Sequence, residues 1–170
     1  MDTRILTDLE RSAVRSFYLA LSTDDRRKRF CSTLSDDAIC KYVDGLDFTR
    51  HTILGAFEEQ AELIGLAELA PGAEESEMAF AVRPDKRRLG IGTALMDGLL
   101  ARARSCGRKK VLVIFLADNT AMRRLAARAG MLIRTEGGEA YASRELQAIV
   151  AAAPESAGRG AAESGERERN

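Results

Sequence analysis

The chain has 170 residues, 45% of them hydrophobic, with 26 basic and 26 acidic side chains, one histidine and a formal net charge of zero. That length suits one core with trimmings, and the apolar fraction is too high for global disorder. Balanced charge removes any bulk attraction to nucleic acid or to a membrane surface. No apolar run approaches the roughly 18–20 residues that cross a bilayer, and Met1-Asp2-Thr3-Arg4 lacks the basic segment and apolar core of a secretory signal. A cytoplasmic location is therefore expected, with neither nucleic acid nor membrane as partner. Cys31, Cys40 and Cys106 are odd in number and lack the CxxC spacing of metal or redox sites. They read as reduced, small core hydrophobes, and no bound metal is expected.

The first third reads helical. Asp8 caps a segment in which Leu9, Ala13, Val14, Phe17 and Leu21 recur at helical spacing. The charged residues 24–29 then separate it from Phe30. Ser35-Asp36-Asp37 caps a second helix carrying Ile39, Tyr42 and Val43. Residues 51–57 and 63–69 read as strands joined by the polar turn Glu58-Glu59-Gln60. Pro71-Gly72-Ala73 turns the chain into a third strand at 78–82, giving an antiparallel meander. Beyond Pro84, residues 90–105 place Leu95, Leu99, Leu100 and Ala103 on one helical face, ended by Gly107. Residues 111–116 are apolar throughout, as in a strand covered on both faces. A short helix at 119–129 stops at Gly130. Residues 131–134 and 140–143 supply edge strands about the turn Gly137-Gly138. The final stretch, 154–170, has no large apolar residue and reads as a disordered tail, so the domain is set at 1–150 and the tail at 151–170.

The chemistry concentrates in Arg83-Pro84-Asp85-Lys86-Arg87-Arg88-Leu89-Gly90-Ile91-Gly92-Thr93. A strand ends there and a glycine-bearing loop opens a helix. The first N–H groups of such a helix lack internal partners, and the helix dipole adds positive potential behind them. Together they suit a diphosphate. A GxxxxGK[ST] loop is absent, and the dinucleotide pattern GxGxxG fails because position 95 is Leu95.

Arg87, Gly90 and Gly92 fit the pattern [QR]xxGx[GA], and Asn119, Leu125, Gly130 and Met131 follow at the spacing of an Asn-led helix ending in Gly plus a large apolar residue. In that order the chain resembles the GNAT superfamily of acyl-CoA-dependent N-acetyltransferases. The resemblance implies a mixed α/β fold: a twisted, mostly antiparallel sheet of six to seven strands, its fourth and fifth strands splayed, flanked by about four helices. Acetyl-CoA would be the acyl-donor substrate, with Phe80, Ala81 and Val82 against its pantetheine arm. Arg87, Arg88, Leu89, Gly90, Ile91, Gly92 and Thr93 would hold the diphosphate, and Asn119 would lie beside the cofactor near the splay. A narrower resemblance, through Arg29-Phe30, Leu34-Ser35, residues 46–51 and 77–82, points to the acetyltransferase domain of Pat-type protein lysine acetyltransferases. In that branch a glutamate near the start of the fourth strand is the general base, and the matching residue is Glu77.

An amine of lysine type, with pKa near 10.4, is almost wholly protonated at neutral pH, so a carboxylate that accepts its proton serves the attack on the thioester. Strand N–H groups at the splay, that of Val82 among them, would steady the thioester oxygen. His51 stands at a strand start beside Arg50 and reads as structural. Many superfamily members carry a proton-donating tyrosine after the leucine matching Leu125; here the residue is Ala126, so water must protonate the thiolate or it leaves unassisted. The expected acceptor is a protein lysine, with a small amine such as a polyamine, aminoglycoside or amino acid as the alternative. Ala126 keeps open a non-catalytic acetyl-CoA-sensing module, and a purely structural domain would bind no coenzyme. Monomer and homodimer fit the sequence equally.

Overall fold

The computed structural model describes residues 1–58 and 62–146. The boundary at 150, the tail and Glu59-Gln60 of the expected turn lie outside the described residues.

Among the described residues seven strands form one sheet in the order β1-β2-β3-β4-β5-β7-β6. Strands β2 (Thr52–Phe57), β3 (Leu63–Leu69) and β4 (Glu75–Val82) form the expected antiparallel meander. β4 starts three residues earlier than its apolar core suggested. The sequence did not show β1 (Asp2–Leu6), an edge strand antiparallel to β2 with only Leu6 buried. Its pairing partner supplies its order, since a mostly exposed five-residue strand carries little pattern of its own.

Among the described residues five α-helices accompany the sheet. The first, α1 (Arg11–Leu19), buries Val14, Phe17 and Tyr18. It begins later than expected, after a 3-10 turn at Asp8–Glu10, and the Glu10 carboxylate accepts from the Thr7 N–H and hydroxyl, each at 2.8 Å. Leu9 sits in that turn, 91% exposed, and Ala13 is exposed too. The charged stretch is not a separator but helix α2 (Thr23–Phe30), and it takes the helix count past four. Its acids, Asp24 and Asp25, occupy the first turn, and Arg27, Lys28 and Arg29 the last. That distribution complements the helix dipole, and Ser22 Oγ accepts from the Asp25 N–H at 3.2 Å. Helix α3 (Asp36–Asp44) runs from the Ser35 cap as expected. Helices α4 (Ile91–Ser105) and α5 (Thr120–Arg128) flank β5 (Lys110–Leu116) in sequence.

The sheet separates two cores. On one side α4 and α5 cover Leu54, Met78, Val111, Val113 and Phe115; on the other, α1 and α3 cover Leu6, Ile53 and Leu66. Gly65 lets α4 lie close on β3, because a Cβ there would stand 2.9 Å from Ile91 Cγ2. Gly65 pairs with Val82, so this contact seats the start of α4 beside the end of β4.

Three expectations about packing change. β5 is not covered on both faces: Val111, Val113 and Phe115 are buried while Leu112, Ile114 and Leu116 are half-buried. Helix α2 packs against β5 there, with Cys31 Sγ 3.9 Å from the Ile114 carbonyl. β7 (Glu139–Glu145) is an interior strand, pairing β5 along its whole length, and of the two strands of this hairpin β6 (Leu132–Glu136) alone is at an edge. The hairpin folds back so that its second strand meets β5, burying Ala140 and Ala142. The cysteines are not core residues: Cys31 and Cys40 are half-buried and Cys106 is exposed, all with free thiols. Cys31 and Cys106 cap the ends of α2 and α4, positions that helix geometry places at the surface.

Among the described residues, no helix is long and apolar enough to cross a membrane, and no group of three or more His, Cys, Asp or Glu is placed to hold a metal.

Candidate active site

β4 and β5 run parallel and pair at only three positions, Glu75 with Lys110, Ser76 with Val111 and Glu77 with Leu112. Beyond that rung they part, while residues 78–82 of β4 remain paired to β3 on their other side. Alternate backbone N–H and C=O groups of a strand point to opposite neighbours, so half of those at 78–82 face the gap. The expected pantetheine contacts, Phe80, Ala81 and Val82, line this opened edge and are half-buried. An extended amide-bearing arm can complete the missing ladder there, as in strand addition.

The chain then turns through a 3-10 segment at Pro84–Lys86 into the loop that opens α4. Two left-handed residues shape this loop, Arg88 at φ 65° and Gly90 at φ 82°. A non-glycine residue held there costs roughly 1–3 kcal/mol, and such turns direct successive N–H groups into one concavity. Gly90 is the N-cap of α4 and supplies no side-chain cap. The first helical bond runs from the Ala94 N–H to the Gly90 carbonyl at 3.0 Å, which leaves the N–H groups of Ile91, Gly92 and Thr93 without helical partners. Leu89 is 65% exposed at the loop's crest. Loop, dipole and open strand edge thus meet at one end of the sheet, as a diphosphate joined to a long amide arm requires.

Arg87 sits differently from a free phosphate ligand. Its guanidinium pairs with Asp25 and bonds the Val82 carbonyl at 3.3 Å. Asp25 is only 7% exposed and also accepts from the Ser22 hydroxyl at 2.8 Å. The pair braces α2 against the loop. Nothing in the sequence singles out Asp25 for this contact, although Ser22 three residues before it is a readable N-cap signal. Asn119 caps α5, its Oδ1 accepting from the Met122 N–H at 3.1 Å, just past the end of β5. Ala126 is buried in the α4–α5 core and offers no proton.

Glu77 occupies the last rung before the gap and is exposed. Its neighbours on the acidic hairpin are committed, Glu74 to Lys109 and Glu75 to Lys110 at 2.6 Å. The Glu77 carboxylate takes part in no ion pair or hydrogen bond among the described residues, whereas its backbone carbonyl accepts from the Ala70 N–H at 2.8 Å. Cys31, at the end of α2, lies within its field. Burial first, then the charges of Glu139 and Glu77, push that thiol above its ordinary value. The Tyr141 hydroxyl, donating to Glu139 at 2.7 Å, extends the same face along β7. Sequence alternation along 139–143 marks this face, but only the pairing of β7 with β5 brings it beside the gap.

Below α2 lies a buried cluster that the sequence did not reveal. Arg29 and Glu68, 7% and 5% exposed at their side chains, pair at 2.9 Å. The Tyr18 and Tyr42 hydroxyls both donate to Glu68, and Arg29 bonds the two oxygens at 3.3 and 3.0 Å. Glu68 pairs across the ladder with Ala79, so this cluster anchors α2 two residues from Glu77 along β4. His51 stands apart from the gap, at the head of β2.

One expected result tests the loop. A Cβ at Gly92 would meet only Leu125 Cδ2, at an ordinary 3.5 Å, so the fold should accept a side chain there. Gly92→Glu should nonetheless weaken acetyl-CoA binding by at least about 2 kcal/mol, the scale of losing charge-assisted bonds. Calorimetric titration against Gly92→Ala separates the charge from the added volume. Unchanged affinity in a folded Gly92→Glu protein would remove the loop from the binding site.

Comparison with known proteins agrees with this geometry. Residues 9–131 match the family described as the acetyltransferase (GNAT) family. No curated protein sequence matches the chain. Among solved structures, the GNAT domain of S. lividans PAT is similar at a TM-score of 0.72 and 24% identity, over 85% of this chain and 89% of that one. A phosphinothricin acetyltransferase from Sinorhizobium meliloti in complex with AcCoA gives 0.68 and 15%, over 91% and 93%. Spermidine N-acetyltransferase from Vibrio cholerae, in complex with CoA and spermine, gives 0.68 and 14%, over 85% and 95%. With its splayed fourth and fifth strands and its glycine-led helix, the chain belongs to the GNAT acetyltransferase family and uses acetyl-CoA as acyl donor.

Proposed function

We propose that the protein acetylates a primary amine by direct attack on the thioester, that Glu77 is the general base, and that the acceptor is a protein lysine. The observation that carries this reading is the Glu77 carboxylate, uncommitted at the rung where β4 and β5 part. The pantetheine arm enters along residues 80–82 with its diphosphate on the N–H groups of residues 88–93, and the thioester then lies near that rung. Asn119 stands beside the cofactor at the far lip of the gap. An incoming ammonium gives its proton to Glu77, directly or through one water, and the neutral amine attacks the carbonyl carbon. The thioester oxygen meets strand N–H groups at the gap. The tetrahedral adduct expels the thiolate, whose parent thiol has a pKa near 8.5, so protonation by water suffices without a tyrosine at position 126.

The choice of a protein lysine rests on the resemblance to Pat-type protein lysine acetyltransferases at Arg29-Phe30, Leu34-Ser35, residues 46–51 and 77–82. Spermidine and phosphinothricin are named with structures of the same fold, so small amines are the comparison to make. An acceptor screen that follows free thiol, with mass spectrometry of the products, decides between them. Lysine-bearing proteins or peptides should be turned over faster than polyamines or amino acids at equal concentration. Preference for a polyamine would reassign the acceptor, and no thiol release with any amine would leave only coenzyme binding.

A further inference from the structure

At the end of the sheet opposite the diphosphate loop lies a cleft of about 510 Å³. Its floor and walls come from the head of β2, the β3–β4 turn and the last turn of α4. It is lined by Arg50, His51, Arg102 and Arg108, and its lining contains no carboxylate. We propose that this cleft is a second binding site, for a small multivalent oxyanion carrying phosphate or carboxylate groups, separate from the site of acyl transfer.

Three guanidinium groups around one concavity repel one another, and a cleft with low-dielectric walls concentrates their field. Of the acids next to the lining in sequence, Glu68 is paired with Arg29 and Glu74 with Lys109, and Asp47, three residues before Arg50, is tied to its own turn. Its carboxylate accepts from the Thr49 hydroxyl and N–H at 2.6 and 2.9 Å. Two wall nitrogens, His51 Nδ1 and Arg108 Nε, are buried without a hydrogen-bond partner among the described residues, an arrangement that native structures rarely leave in place. Arg108 is held in position, since its guanidinium also bonds the Gly72 and Ala73 carbonyls of the turn. Among the described residues Arg102 bonds Thr52 Oγ1 alone, at 3.4 Å, which uses one of its five donors.

The negative end of α4 points toward this region, but three of its last four carbonyls are already bonded. The Arg102 carbonyl accepts from Cys106 N–H and Ser105 Oγ, that of Ala103 from Arg108 N–H, and that of Arg104 from Gly107 N–H. What remains exposed is cationic. Fork-shaped guanidinium donors match phosphate and carboxylate oxygens in pairs, which favours an oxyanion over halide.

The test uses the whole protein saturated with acetyl-CoA, so that the diphosphate loop is already filled. Inorganic pyrophosphate and citrate are titrated in separate calorimetric runs at fixed ionic strength. At least one should bind with a dissociation constant below the millimolar range. Binding of pyrophosphate alone identifies a phosphate-type ligand, and of citrate alone a polycarboxylate. The double variant Arg50→Glu/Arg102→Glu changes two exposed side chains and should weaken that binding by about tenfold or more, the scale of losing charge-assisted bonds. Its acetyl-CoA affinity should remain within about twofold, because the two sites lie at opposite ends of the sheet and screened charges fade over about 10 Å. No binding of either anion by the native protein would overturn the proposal. So would unchanged binding in the double variant, which would place the anion elsewhere, the loop included.

Discussion

Glu77→Gln should lower turnover about 100-fold or more, the usual scale for removing a general base, while fold and acetyl-CoA affinity persist. Glutamine keeps the size and much of the hydrogen bonding but removes the basic lone pair. The exposed side chain makes no ion pair with described residues, so its replacement should not disturb the hairpin, which Lys109 and Lys110 hold through Glu74 and Glu75. The pH profile supplies a second readout. Raising the pH should partly restore the mutant's rate, because more of the acceptor amine is then already neutral. A purely structural role for Glu77 would show no such recovery. Near-native turnover of the glutamine variant on the true acceptor would take Glu77 out of the mechanism.

The largest effect on stability should come from the buried cluster beneath α2. Glu68→Leu leaves the Arg29 guanidinium uncompensated where its side chain is 7% exposed. Breaking such a pair costs about 3–5 kcal/mol, and the melting temperature should fall by about 10 °C or more. Adding Arg29→Met should recover most of the loss, since removing both partners leaves only the Tyr18 and Tyr42 hydroxyls to be satisfied. A double variant no more stable than Glu68→Leu alone would show that the tyrosines, not the ion pair, dominate. The pH dependence follows from the same contacts. Burial pushes the Glu68 carboxyl upward, but the Arg29 charge and the bonds from Tyr18, Tyr42 and Arg29 outweigh it and hold the carboxyl below its ordinary 4.5. A carboxylate whose native value is depressed stabilises the fold fully above that ordinary range. The contribution is lost as pH falls through the lower native value. Arg29 also lies over the rings of Tyr18, Phe30 and Tyr42, 4.6 to 5.7 Å from their centroids, so Glu68→Leu should loosen α2 and the face it covers.

Short, periodic or glycine-marked segments are the ones whose sequence declares their conformation. The meander, helix α4 with Leu95, Leu99, Leu100 and Ala103 inward, and the capped helix at Ser35 all lie where their patterns put them. Each is governed by neighbours within one or two turns of chain, through hydrogen-bond periodicity and side-chain alternation. The glycine loop is legible for the same reason, because a left-handed residue opening a helix is a local demand. Helix α2 carries a local signal of another kind, in the order of its charges along the helix dipole rather than in any apolar stripe.

Local chain chemistry therefore dictates the meander, the capped helices and the place of the glycine loop, while Glu77 comes forward only through a resemblance of motifs. Tertiary assembly alone leaves Glu77 as the uncommitted acid of its hairpin, braces Arg87 with Asp25, and sets β7 rather than β6 beside β5. It also brings Arg29 to Glu68 and gathers Arg50, His51, Arg102 and Arg108 around one cleft. These contacts join residues far apart along the chain, or strands whose order no pattern encodes. A charge carries no mark of its partner: pairing energy depends on the separation and burial that folding creates, and neither exists until the sheet has assembled.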